Sequence, residues 1–121
     1  MIAMFCGSRY ANPRLLSLAK MAVERANELD WHIIVGDAPG IDQAVIAASD
    51  TCEVWGAFGK LRCEPDDSHQ FHTVPGNYTE RDDELISKAD IVVCIWDGKS
   101  KGTIRNYESA RMLGKTVYLI K

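Results

Sequence analysis

No apolar run in the 121-residue chain approaches the roughly 18 residues of a membrane-crossing helix, so no membrane span is expected. The apolar stretch Ile2 to Cys6 is too short for a signal-peptide core and has no basic leader, so no export is expected either. Cysteine patterning is also missing. Cys6, Cys52, Cys63 and Cys94 form no CxxC pair, and three of them lie in apolar runs, where a free thiol behaves as a small hydrophobe. The expectation is a reducing, cytoplasmic setting. A single domain of this size buries about two-thirds of its unfolded surface on folding and needs no disulfide or structural metal. Charge of one sign is lacking: 14 Lys and Arg against 17 Asp and Glu leave a net −3, which is no footprint for an extended nucleic-acid surface. Neither GxGxxG nor GxxxxGK[ST] occurs, so hydrolysis of nucleoside triphosphates is not expected. His69, His72, Cys63 and Asp66 lack the paired spacing of a metal site, and no metal or cofactor is assigned.

What the chain has is alternation. The apolar runs at 2–6, 31–35, 52–58, 91–96 and 116–120 mostly lack an in/out pattern, as do strands covered on both faces. Between them lie helical stripes over Pro13 to Leu29, Gly40 to Ala48, Thr79 to Ala89 and Thr103 to Gly114. Asn12 and Pro13 open the first, Thr103 is read as the N-cap of the last, and Gly114 closes it. Strand and helix in alternation predict one α/β domain over residues 1–121. Its fold is Rossmann-like, with a five-stranded parallel sheet in the order 3-2-1-4-5 and four flanking helices. The stretch 59–76 reads as an irregular loop.

Ligands of open α/β sheets sit at the carboxyl ends of the strands, so the loops there carry the functional reading. After the first strand come Gly7, Ser8 and Arg9: a position without Cβ, a hydroxyl, and a guanidinium able to grip a phosphate. The second loop, 35–42, offers Gly36, Asp37, Ala38, Gly40 and Asp42, with bare backbone for a ligand to touch and carboxylates for ribose hydroxyls. Asn77, Arg81 and Asp82 stand at the start of the third helix, where a cation opposes the helix dipole unless an anion holds it. Asp97, Gly98, Lys99, Ser100, Gly102 and Thr103 make up the fourth loop, with the composition of an anion-binding nest at a helix start. Capped turns and surface ion pairs would use the same residue types. Trp96, just before that loop, is read as core or as the floor of a base-stacking pocket.

The order GSR, VGDAPGID, NYTERDDELISKAD, WDGKSKGT and SARMLGKTV covers nearly the whole chain. It resembles the Rossmann-like superfamily of the lonely-guy nucleotide phosphoribohydrolases, the DNA-processing protein fold and the small nucleotide-sensing domains called SLOG. That resemblance implies that Gly7, Ser8, Arg9, Gly36, Gly40, Asp42, Arg81, Gly102 and Thr103 together hold a nucleotide-derived ligand. The tail is also similar to nucleoside deoxyribosyltransferases, whose nucleophilic glutamate stands eight residues before the Gly of GK. Counting back eight from Gly114 reaches Asn106, and Arg105 also lies where a carboxylate is expected. An amide forms no glycosyl ester and takes no proton as a base.

Three functions stay open on these residues. The first is a binding module holding a nucleotide-like anion, with Gly7 to Arg9 and Lys99 to Thr103 on phosphate, Asp37 and Asp42 on ribose, and Asn106 in a donor-lined pocket. The second is an N-glycosidase or ribosyl-transferring hydrolase acting on nucleoside monophosphates or related nucleotides, with Asp42, Asp82, Asp97 or Glu108 as its carboxylate. The third is an interaction protein with a vestigial pocket. A symmetric homodimer is the default assembly.

Overall fold

The computed structural model describes residues 1–121. The chain runs β1 (Ile2–Gly7), α1 (Pro13–Glu28), β2 (His32–Gly36), α2 (Ile41–Ala48), β3 (Cys52–Gly56), β4 (Gln70–Thr73), α3 (Tyr78–Lys88), β5 (Ile91–Ile95), α4 (Lys101–Met112) and β6 (Thr116–Ile120). All neighbouring strands are parallel, and the sheet order is β4-β3-β2-β1-β5-β6.

Two expectations are corrected here. The sheet has six strands and not five, so the order 3-2-1-4-5 does not hold as stated. A short strand inside the stretch 59–76 pairs with β3 in the register Trp55 to His72 and takes the edge. Its sequence QFHT has no apolar run because an edge strand is covered on one side only. The N-cap of α4 is Ser100, whose hydroxyl accepts from the Thr103 amide, so Thr103 lies inside the first turn.

The core follows the strand alternation. Ala3, Phe5, Ile33, Val35, Val54 and Val93 face α1 and α2, where Leu15, Ala19, Val23, Ile41 and Val45 meet them. On the other face Met4, Cys6, Ile34, Val92 and Cys94 meet Leu85, Ile86 and Ala89 from the α3 end and Ala110 from α4. Each fully buried large side chain contributes about 1.5–3 kcal/mol. From β1 the chain winds outward through β2, β3 and β4, then returns to β5 on the other side of β1. The carboxyl ends of β2, β1 and β5 therefore flank a topological switch point, where a crevice opens.

Candidate functional site

The crevice is a cleft of about 790 Å³ at those strand ends. Its floor is built on Asp37, which follows β2 and is fully buried. A carboxylate so deep must be paired. The Arg62 amide donates to Asp37 Oδ2 at 2.7 Å, and Arg62 Nε and Nη2 donate to Oδ1 at 3.0 and 2.8 Å. Arg81 Nη1 donates to the same Oδ1 at 2.9 Å and to the Trp55 carbonyl at 3.0 Å. Asp37 is thus occupied by protein and does not reach the cleft, which corrects its assignment to a ribose. Arg62 also lies over the Tyr78 ring, 4.0 Å from its centroid.

Arg81, on the first turns of α3, resolves the conflict between a cation and a helix start. Its Nε donates to Asp82 Oδ1 at 2.9 Å. Burial works against its charge, but Asp82, Asp42 and Asp37 outweigh that and raise its pKa. The other oxygen of Asp82 accepts from Asn106 Nδ2 at 2.9 Å, while Asn106 Oδ1 accepts from Arg105. A glutamate at 106 would set two carboxylates side by side, whereas the amide donates to one and accepts from a cation. Asn106 orients Asp82.

Asp42, in the first turn of α2, is 5% exposed. Its Oδ2 accepts from the Ala38 amide at 3.1 Å, and Oδ1 has no partner in the protein. Burial pushes its pKa up to about 7, against the pull of Arg81 and the Ala38 amide. Cys6, beneath it, sits 3.5 Å from Cys94 Sγ. That contact and burial push the Cys6 thiol well above its ordinary value, so it is no thiolate nucleophile.

The loop after β5 is ordered by its own polar groups. Asp97 Oδ1 accepts from the Lys99 and Ser100 amides, both at 2.8 Å, and these bonds hold its carboxyl below the ordinary range. The Asp97 amide donates to Ser8 Oγ at 3.0 Å, tying the loop to the end of β1. On the rim, Arg9 and Lys99 are exposed, line the cleft and make no side-chain hydrogen bond or ion pair within the protein. Tyr10 beside them is 88% exposed.

Of the residues expected at a site, Gly7, Arg9, Gly36, Ala38, Asp42, Arg81, Asp82, Asp97, Lys99, Ser100, Gly102, Thr103 and Asn106 line this cleft. The others do not. Ser8 is buried and bonded to the Asp97 amide. Gly40 (φ +82°) packs its bare Cα on the Ser8 and Arg9 carbonyls, and Gly98 (φ +86°) turns the loop in open space. Asn77 is an exposed N-cap, in a capping box with Glu80 at 2.8 and 3.1 Å. Glu108 is exposed on α4 and outside the cleft, about 200° round the helix from Asn106. Trp96 does not line the cleft either, because its Nε1 donates to the Ser100 carbonyl at 2.9 Å from behind the loop.

The glycines also play another part than expected. A Cβ at Gly36 would lie 2.7 Å from Arg81 Cζ, and one at Gly7 would strike the Ile41 side chain. Protein fills those spaces, and only Gly102 leaves open room among the cleft glycines. Arg62, Tyr10, Tyr78 and Thr79 also line the cleft with no expectation attached to them, as do Asn12, expected only as a helix cap, and Arg105, noted only for standing where a carboxylate is expected. A tyrosine three residues after the glycine that ends β1, and an arginine at the start of a loop otherwise rich in acid, are the signals the sequence offers.

No family model matches the chain, and no curated protein matches it in sequence. Solved structures do match in fold. The molybdenum cofactor carrier protein of Chlamydomonas reinhardtii is 16% identical, with a TM-score of 0.81 over 98% of this chain and 74% of that one. The molybdenum cofactor binding protein of Rippkaea orientalis is 21% identical, with a TM-score of 0.74 over 98% and 74%. DNA processing protein A of Helicobacter pylori is 15% identical, with a TM-score of 0.76 over 98% and 64%. At such identities the likeness is one of fold, and the chain shares a Rossmann-like architecture with proteins that hold ligands.

Proposed function

We propose that this domain is a binding module for a small, nucleotide-like anion, and that the SLOG-type resemblance of its motifs reflects that use. One observation carries the reading: Arg9 and Lys99, the unpaired cations of the rim, line the same cleft as Gly102 and Thr103 of the first turn of α4. A phosphate there meets two free cations and a helix start. Asp42, with its free Oδ1, is left to face the uncharged part of the ligand. The names of two fold neighbours, a carrier and a binder of the molybdenum cofactor, support a holding role without chemistry.

The test is a thermal-shift panel of nucleoside monophosphates, ADP-ribose and dinucleotides, with molybdenum and co-purified ligand measured on the same preparation. Stabilisation of the wild type that disappears in Arg9→Ala and Lys99→Ala is expected. A panel without any shift, on protein carrying no ligand, rejects the reading. A second reading has one observation behind it: Asp82 lines the cleft with both oxygens held in place by Arg81 and Asn106, as an acid or base of an N-glycosidase would be. Release of free base from nucleoside monophosphates, abolished in Asp82→Asn, would establish it.

A further inference from the structure

The polar floor has more carboxyls than cations. Asp37, Asp42 and Asp82 share two arginines, Arg62 and Arg81. Arg62 is spent on Asp37, and Arg81 bonds Asp37 and Asp82. Asp42 has no cation bonded to it, only the Ala38 amide on Oδ2. It nonetheless lines the cleft with Oδ1 unbonded, and it shares that cleft with the unpaired Arg9 and Lys99. An anion drawn to those cations arrives in the same cleft as a buried carboxyl that carries no ion pair of its own. Two negative charges in a low-dielectric cleft repel, and the repulsion is relieved if the carboxyl takes a proton.

We propose that an anionic ligand enters this cleft together with one proton, which is taken from solvent by Asp42, and that the protonated Oδ1 then donates a hydrogen bond to an acceptor oxygen of the ligand. The inference rests on the anion-binding reading above and adds its regulation: affinity is set by pH through a single side chain. The charged groups that face Asp42 are Arg81 and Asp82 from α3 and Asp37 from the end of β2, with the Cys6 thiol below it from β1. Asp37 and Asp82 are ion-paired, Arg81 is held charged, and Cys6 is shifted upward, away from neutrality. No histidine lines the cleft. Asp42 is thus the group there that changes charge near neutral pH. A sugar or nucleoside phosphate suits the arrangement, since it has an anionic end for the rim and ether, hydroxyl or carbonyl oxygens for a buried donor. Neutral carboxylic acids serve as donors in this way when burial keeps them protonated.

The experiment uses three probes: AMP, ADP-ribose and inorganic sulfate. The latter two hold a fixed charge over the range of interest, and AMP is fully ionised at about pH 8, since its second pKa is about 6. Titration calorimetry in two buffers of different ionisation enthalpy at about pH 8 should show close to one proton taken up per ligand bound by the wild type. Wild-type affinity should fall about tenfold per pH unit above neutrality. Asp42→Asn keeps an acceptor for the Ala38 amide and should bind with no proton uptake and a flat pH profile. The Asp42 carboxyl signal in a carbon-13 NMR titration should move to the protonated position when ligand is added at about pH 8. Wild-type binding without proton uptake, or uptake persisting in Asp42→Asn, overturns the inference and leaves the anion site standing. Absence of binding by all three probes at about pH 6 overturns both.

Discussion

Arg81 and Arg9 belong to the same cleft and live in opposite ways. Arg81 is 4% exposed and bonds two carboxylates and a backbone carbonyl, while Arg9 lies exposed with no partner. The same division separates Asp37, enclosed by two arginines, from Lys99, which is exposed at the rim with its ammonium unpaired. Asp37 and Arg81 were desolvated when the chain folded, and each is compensated by protein. Arg9 and Lys99 of the rim stay in water and have no partner in the protein. The lesson is that a charged residue at a sheet's carboxyl end is not by that fact a ligand group, and its existing partners decide which it is. Asp42 stands between the two classes, buried like the floor and without an ion pair like the rim.

The contrast can be broken most forcefully at Asp37. Asp37→Ala leaves two arginine head groups without their shared carboxylate, and urea unfolding should register a loss of about 3–5 kcal/mol. A loss below about 1 kcal/mol would mean that the floor does not depend on its ion pairs. Next in size is Asp42→Asn. The folded-state pKa of Asp42, about 7, lies above its ordinary 3.8. The folded protein therefore keeps the proton over an interval in which the unfolded chain has released it, and stability falls as pH rises from about 4 to about 7. Above that interval the cost of a buried carboxylate is fully present. Asn removes it, so the variant should gain about 2–4 kcal/mol at about pH 8 and much less at about pH 4. An equal gain at both would place the effect elsewhere.

The rim should respond in affinity and not in stability. Arg9→Ala and Lys99→Ala should each weaken binding of a nucleoside monophosphate by about 1.5–3 kcal/mol while the melting temperature of the free protein holds. The smallest expected effect is at Asn77, which sequence reasoning placed with the ligand and the fold places at a helix start. Asn77→Ala should cost about 1 kcal/mol of stability and leave affinity unchanged. A change in affinity would return it to the site.

What was legible and what was not follows from how locally each feature is encoded. The strands IAMFC and IVVCIW announce themselves because both faces are covered, and α1 does so through Asn12, Pro13 and an apolar stripe. β4 is silent because an edge strand of four residues needs no pattern beyond its pairing with β3. Four loops meet at one edge in any sheet of this type, which is why so many of the expected residues line one cleft. Arg62 was missed because its reason lies 25 residues back at Asp37, and loop composition records no such debt. The swap of glutamate for Asn106 was visible. Its cause, the neighbouring oxygen of Asp82, appears only when α3 and α4 are side by side.

The glycines at 7 and 36 bear on inheritance. The room they leave is taken by the Ile41 side chain and the Arg81 guanidinium, so selection for folding alone is enough to keep them. A descendant that had exchanged its ligand, or lost one altogether, would still display the same spaced glycines. Glycines at these two positions are therefore explained by packing and say nothing by themselves of a bound molecule.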